Sequence, residues 1–519
     1  MNNIQNRFRL FIESLLLLIL TVLLFLQNAM GIYLTKMIAD TQAGSAQKVN
    51  VHLLSRGLAI SGIQLNNLPL DSTTEVSGSI RELTINGINL YHLYKYKEIF
   101  LDVLVFNQPK LIINYKVSEN NTGSKKFKIA GIDKVRVQEG ELTYLDKQGD
   151  SISIQKVNLA YSPVLEDQGK RSTPHFKFSS DSLHFLTADK LYTITVGSMN
   201  GNSRSGKIIL DSVKVIPSFS EREFSKHIRY QSDRYEFESP EITLLFNQSN
   251  WKQDSIYTIQ SIVLPSFFMS VFRDKHVPRD PDQKYEMLQH YLEKSSINIS
   301  IDSMLVTNGN LKYRELTEQN NKAGEIEFSN GKITANNIQL GVPTKEALKI
   351  SVKSGFMKSG HLRANIEFPY HKYSFHCSGN LKDMPFEEIN RISGPSGGVL
   401  FAGGELHAMP FDFIAYDSHS EGTLSMNYRN MDFSVKNKPD GDTTNFISKV
   451  ITAAASLFIK KESKKQDEDI ALKGTICQER RHDRFIFNYM WKSILSGLKS
   501  AMTETFGEKE ESKKTKSPC

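Results

Sequence analysis

Cysteine is scarce in this 519-residue chain. The three present, Cys377, Cys477 and Cys519, show no paired spacing, which argues against a disulfide framework. None sits directly after the apolar N-terminal run, so a lipoprotein-type attachment is not indicated. Excess charge of one sign is scarce too. The 64 Lys and Arg against 57 Asp and Glu leave a net charge of +7, spread too thinly for a nucleic-acid footprint. No phosphate loop, HExxH, G-x-S-x-G or EF-hand pattern occurs, nor any paired acid–base or nucleophile cluster. The expectation is a protein that is not an enzyme, with no catalytic residue, metal, cofactor or nucleic-acid partner.

Long apolar runs are missing with one exception. From Ser14 to Thr35 no residue is charged, and Leu15–Leu26 is nearly all Leu, Ile, Val and Phe. As a helix this stretch measures about 33 Å, against a hydrocarbon core of roughly 30 Å. The reading is one transmembrane anchor over 14–35. Its rival is a secretory leader cut after Thr41-Gln42-Ala43, although a leader's apolar core should be shorter and end at small residues. Arg7 and Arg9 precede the run, while Lys36 and Asp40 come after it, so residues 1–13 are expected in the cytoplasm and the bulk outside it.

The chain beyond this run reads as strands. Residues 51–117 and 128–160 alternate apolar and polar positions between Gly, Asn and Pro punctuation, as half-buried sheet does. One phrase recurs. Ile132–Tyr144 (IDKVRVQEGELTY) and Ile301–Tyr313 (IDSMLVTNGNLKY) share the Asp, Val, Gly, Leu and Tyr positions, with looser copies from Leu101-Asp102 and Leu210-Asp211. A reused strand phrase signals a fold grown by adding strands, which favours long surfaces over compact pockets. The repeated Asp residues (Asp102, Asp133, Asp211, Asp302) share strand parity with apolar neighbours, so strand entries or bulges are expected there.

Helices interrupt the strands. Ser220 with Glu223 fits a capping box, and Gln283–Lys294 has helical spacing. The glycines Gly394, Gly397, Gly398, Gly403 and Gly404 predict a bend or bulge between strands. The tail over 445–506 reads as helical, in Phe446–Lys461 and Phe485–Phe506. In the second of these, Phe487, Trp491, Ile494, Leu495, Leu498 and Met502 form an apolar stripe. Such a stripe usually docks on its own core. Phe487, Trp491, Ile494, Leu495 and Leu498 are the candidates for contact with a membrane surface or with the mouth of an apolar groove. In HKYSFHCSG, alternation turns Cys377 and His376 to opposite faces, so the pair cannot chelate one metal ion. The resulting division is 41–300 as an N-terminal repetitive β region, 301–440 as a second β region, 445–506 as the tail and 507–519 as a charged, disordered end.

Residues 378–434 carry a resemblance. Gly379-Asn-Leu-Lys-Asp-Met-Pro-Phe-Glu-Glu-Ile-Asn390, then Gly404-Glu-Leu-His, then Gly422-Thr-Leu-Ser-Met-Asn-Tyr428 resembles the C-terminal part of AsmA-like proteins. The G-x-L-x-Y phrase at Gly140 and Gly309 is similar as well. The tail from Arg484 is similar to tails of Bacteroidetes-type members. The resemblance implies a mainly β, elongated, curled antiparallel sheet with an apolar groove, standing in the periplasm on an inner-membrane helix. Larger relatives of the TamB and YhdP kind imply lipid movement and outer-membrane homeostasis. The function expected is therefore binding or transfer of phospholipid or glycolipid. The alternative is a structural or regulatory scaffold for outer-membrane assembly that binds another envelope protein.

Overall fold

The computed structural model describes residues 28–36, 44–69, 73–115, 128–163, 166–167, 170–171, 174–247, 252–253, 255–318, 321–397, 399–435 and 469–504. It is mainly β, and it divides into two compact units, Met1–Ser212 and Val213–Cys519. Residues 1–13, most of the apolar run, Phe446–Lys461 and 507–519 lie outside the described residues.

In the first unit a helix over residues 28–36 (α1) precedes β1 (Lys48–His52), β2 (Gly57–Pro69) and β3 (Thr74–Asn86). Next come α2 (Leu90–Tyr96), β4 (Glu98–Tyr115), β5 (Lys128–Leu145) and β6 (Ser151–Ser162). These strands pair in chain order, antiparallel except for the parallel pair β4–β5. The two ends of β6 then take up β7 (His175–Ser180) and β8 (Ser182–Leu186). Three further strands, β9 (Tyr192–Val196), β10 (Ser198–Asn202) and β11 (Lys207–Pro217), complete the series.

The second unit opens with α3 (Glu221–His227), β12 (Arg234–Leu245), β13 (Ile256–Leu264), β14 (Phe267–Asp274) and α4 (Leu288–Glu293). From β15 (Ile299–Leu316) the chain meanders antiparallel through β16 (Gly324–Leu340), β17 (Ala347–Phe356), β18 (Gly360–Pro369) and β19 (Ser374–Pro385). It then passes through α5 (Asn390–Gly397) to β20 (Val399–Tyr416), β21 (His419–Val435) and β22 (Ile470–Glu479). The last element is α6 (Ile486–Glu504). The division drawn at 300–301 thus falls inside β15.

The repeated phrase is a structural module. In each copy the strand carrying it, β5 or β15, has a parallel neighbour on one side and an antiparallel hairpin partner on the other. The register shifts at matching positions, Val137/Gly140/Leu142 and Val306/Gly309/Leu311. A ring from the parallel neighbour lies over the glycine each time. A Cβ on Gly140 would meet Pro109 Cγ at 3.1 Å, and one on Gly309 would meet Phe267 Cε1 at 2.6 Å. The resemblance implies a sheet that is antiparallel throughout. The parallel pairings β4–β5, β13–β15 and β14–β15 correct that, because in each case the chain crosses over before it pairs instead of turning back at once.

The buried hydrophobic cluster lies in the second unit. Directly paired residues Met304, Ala335, Ile350, Ile366, Cys377, Phe413, Gly422 and Ile476 form one row across eight strands. All belong to that cluster or pack on it apart from Gly422, whose missing side chain lets Asp412 O and Phe413 come close. α6 closes this face through Ile486, Tyr489, Met490, Ala501 and Met502. The contact is close because Gly474 and Gly497 face each other: a Cβ on Gly474 would sit 2.2 Å from Gly497 O. The same helix protects the edge of β22. Ser500 Oγ accepts from Thr475 N (2.9 Å) and Ser496 Oγ accepts from Cys477 N (3.1 Å). Four residues of helix advance about 6 Å and two residues of strand about 6.6 Å, so the spacing of the serines matches that of Thr475 N and Cys477 N.

Three sequence expectations shift. The helix expected over Gln283–Lys294 is shortened to Leu288–Glu293, and Tyr285 N, outside it, donates to His482 O (2.7 Å). Of the glycine cluster, Gly394 and Gly397 lie in helix α5, held by a two-way bond between the Asn390 side chain and the Phe401 backbone, while the expected bulge forms at Gly403 and Gly404, where the register with β21 shifts. The tail includes strand β22, whose Leu472, Gly474 and Ile476 alternate inward with period two. The helix at Ser220 forms as expected, but the Ser220 hydroxyl donates to Glu223 Oε2 (3.1 Å) in place of capping a backbone N–H.

Substituting Gly474→Val should push α6 off β22. The expected cost is about 2–3 kcal/mol, typical of overpacking against backbone. It reads out as a lower denaturation midpoint together with faster proteolysis after Arg480 or Arg481.

Candidate functional site

The chemistry of the first unit lies on a sheet face, and strand parity decides which residues reach it. Ile60, Leu83, Phe106, Val137, Leu159 and Phe178 are paired in direct succession across six strands. Closer to the other strand ends, Val76, Ile113, Tyr144, Ile152, Phe185 and Ile194 form a second such row. The opposite side carries Lys110, Arg136, Lys177 and His184, all exposed. One side of the sheet is therefore apolar over about 24 Å, taking roughly 4.8 Å per strand.

Between the two rows the strands bulge together. Gly62, Gln108, Glu139 and Lys156 all adopt positive φ at this level. The registers from β2 to β5 run through this level unshifted, and those of β5 and β6 shift at Gly140 and return by Leu142, so the irregularity is shared and the same side stays apolar beyond the bend. A polar ladder holds the bulges on the other side. Arg81 Nη1 donates to Gln108 Oε1 (2.9 Å), Gln108 Nε2 to Glu139 Oε2 (2.8 Å), and Glu139 N to Asn158 Oδ1 (3.1 Å). At the bend the apolar side is continued by Ile63, Ile80 and Pro109, all buried.

Apart from Val76, every member of both rows is only half-buried. Among the described residues the first unit thus presents a continuous apolar face whose side chains remain partly accessible. Val137 and Tyr144 are shared positions of the repeated phrase, but the sequence assigns no individual groove residue. The signal that could have found them is the paired alternation in LTINGI, LVFNQPKLII, VRVQEGELTY and ISIQKVNLAY, read with one residue skipped at each bulge.

The sequence-predicted stripe on α6 splits. Phe487 and Trp491 point outward, 64% and 42% exposed, while Ile494, Leu495 and Leu498 are half-buried, Ile494 and Leu498 against the core. The face that docks is Ile486, Tyr489, Met490, Ser493, Gly497 and Ala501, where small residues permit a close approach. A search for large apolar residues overlooks a seam built on Ser, Gly and Ala.

Titratable side chains cluster in the second unit. Asp233 takes two bonds from Arg273 (both 2.6 Å), and Glu315 pairs with Lys275 (2.5 Å) and accepts from Tyr313 Oη (2.8 Å). Burial holds the Tyr313 hydroxyl well above its ordinary range, reinforced by Glu315. Lys492 of α6 is lowered to about 8, first by burial and then by the like charge of Lys275. Charges paired this closely hold a structure together. Cys377 points into the core and burial pushes its thiol up to about 12, whereas His376 turns outward to Asp412 (3.0 Å). Asp102, Asp133 and Asp302 are exposed, and Arg56 lies 3.8 Å from Asp102. Asp211 is half-buried and accepts a bond from Ser198 Oγ (2.6 Å).

No family model matches the chain, and no curated protein matches it. No helix among the described residues is long and apolar enough to cross a membrane.

Two measurements probe these environments. Cys377 should resist maleimide at pH 8 in the folded chain and label fully in denaturant, as read by peptide mass spectrometry. A folded-state pKa of about 8 at Lys492 lies below the ordinary 10.5, so the unfolded chain binds more protons between those values. Stability should accordingly rise with pH across that window. Lys492→Met should raise the melting temperature below pH 8, and the gain should shrink as pH approaches 10.5.

Proposed function

We propose that this chain is a membrane-anchored envelope protein of the AsmA-like kind that binds, or helps to transfer, lipid on the apolar face of its first unit. The observation that carries the reading is the face itself: among the described residues, two rows of half-buried apolar side chains joined across a bulge line, with Lys110, Arg136 and Lys177 on the other side. Acyl chains suit such a surface because they need no catalytic group. Burying ten methylenes yields about 8 kcal/mol before the ordering of the chain is subtracted. The apolar run over 14–35 supplies the anchor, placing the protein in the inner membrane with its bulk in the periplasm. The face reads equally for phospholipid and glycolipid, since it meets the tails and not the headgroup.

The test is photocrosslinking in cells with the full-length chain, placing benzoylphenylalanine singly at Phe106, Val137 or Leu159, and at Arg136 as the polar-face control. Lipid adducts at the first three positions and none at Arg136 are expected. Absence of lipid adducts at all four positions would remove the carrier reading. Protein adducts on the apolar face would instead support a scaffold for an outer-membrane assembly partner.

A further inference from the structure

Helix α2 is built mainly from local signals, its ring contact with the sheet being that of half-buried His92 on Phe100 of β4, 4.8 Å between centroids. Asn89 Oδ1 accepts from His92 N (3.1 Å) to start it, and Lys97 in the left-handed region (φ 58°) ends it. None of its seven residues is buried. A helix this short gains little from one ring contact, so burial in the unit's own core does not account for its exposed residues. Its composition is aromatic and basic. Leu90, Tyr91 and Tyr94 are 57%, 62% and 83% exposed. Lys95 Nζ sits 5.3 Å from the Tyr91 ring centroid and 5.2 Å from that of Tyr96. Lys97 Nζ sits 5.8 Å from the Tyr94 centroid. Between Gly87 and Lys97 there is no acidic residue.

This helix also stands beside the end of the apolar run. The turn from β1 into β2 holds the entry to α2, with Gly87 N donating to Ser55 O (3.4 Å) and Ile88 N to Arg56 O (2.9 Å). That turn carries Leu54, which is 86% exposed. At the other end of short β1, Val49 N donates to Thr35 Oγ1 (2.9 Å), and a Cβ on Gly31 would lie 2.2 Å from Val49 O. α1, the end of the apolar run, therefore packs on the same strand that leads into this turn. Val49 and His52 are three residues apart, about 10 Å of strand.

We propose that α2 and the Leu54 turn form an interfacial seat that rests on an anionic lipid surface where the anchor leaves the bilayer. Tyrosines with an apolar body and a polar tip partition to the headgroup layer, and lysines beside them meet anionic headgroups. A membrane held by the adjoining segment is always within reach of this end, whereas a protein partner would have to be recruited to it. The inference rests on the anchor reading of residues 14–35.

The experiment uses the full-length chain with Trp251→Phe, Trp491→Phe and Tyr94→Trp, mixed with vesicles of phosphatidylcholine alone or with phosphatidylglycerol. The only indole left is then the one introduced at position 94. Flotation reports the anchor, and quenching of that indole by brominated acyl chains reports the seat. The expected result is flotation with both lipids and at least a twofold loss of emission with the anionic vesicles. Adding Lys95→Glu and Lys97→Glu should abolish most of that quenching while flotation stays intact. A chain that floats with the indole unquenched overturns the seat and leaves the anchor standing. Equal quenching with and without phosphatidylglycerol overturns the anionic preference. A chain that does not float overturns the anchor, and the seat with it. Circular dichroism confirms folding of each variant, all of whose altered seat residues are exposed.

Discussion

A strand has two sides, and any one-residue slip exchanges them. Strands of up to 18 residues must bend to remain in a twisted sheet, yet every inserted residue threatens to turn the apolar side outward. In the first unit the positive-φ residues Gly62, Gln108, Glu139 and Lys156 fall at one level, and the registers from β2 to β5 pass through it unshifted, so the irregularity is shared across the sheet. The Arg81–Gln108–Glu139–Asn158 ladder locks that alignment from the polar side. A single bulge at one of these levels would break the apolar face in two. The concerted line keeps it whole, and the lipid-binding reading depends on that continuity.

The second unit meets the same constraint at Gly309 but finishes differently. There the apolar side is covered, with Phe368, Phe375 and Phe413 fully buried and α6 laid over the strands. Covering a sheet with a helix requires close backbone approach, which Gly474 and Gly497 provide, and it leaves an edge strand whose donors need partners. Ser496 and Ser500 supply them. One helix thus performs two tasks with two sets of small residues. This is why its docking seam contains so few of the large side chains that mark most amphipathic helices.

These particulars decide what could be read in advance. The repeat around Gly140 and Gly309 was legible because the glycine is imposed by geometry: a ring from the parallel neighbour occupies the space of its side chain. Helix α3 was legible from Ser220, and the opposed directions of His376 and Cys377 came from period two. The parallel neighbours were not legible, because no local signal says which strand lies beside β5 or β15. Strand β22 was hidden inside a segment whose flanks look helical, although IALKGTI alternates cleanly. The Phe487–Trp491 pair shows the limit of amphipathic reasoning. Both residues continue an apolar stripe in projection, but the seam is set by what the sheet can accommodate, and these two remain in solvent.

An uncovered apolar face has a cost that must be met elsewhere in the same unit. Half-buried side chains contribute only part of the roughly 25 cal/mol per Å² that full burial would yield. The first unit therefore leans on what does not depend on that face: long ladders of backbone hydrogen bonds, and polar cross-links on the other side. Lys110–Glu141 at 2.9 Å and Lys156–Asp181 at 2.6 Å continue this pattern beyond the bulge ladder. Exposed pairs contribute little singly, but along one sheet face they fix register, which is what an open sheet most needs. Register, more than burial, is then the quantity under constraint. On the lipid-binding proposal, an acyl chain on this face would supply the missing burial without disturbing a backbone hydrogen bond.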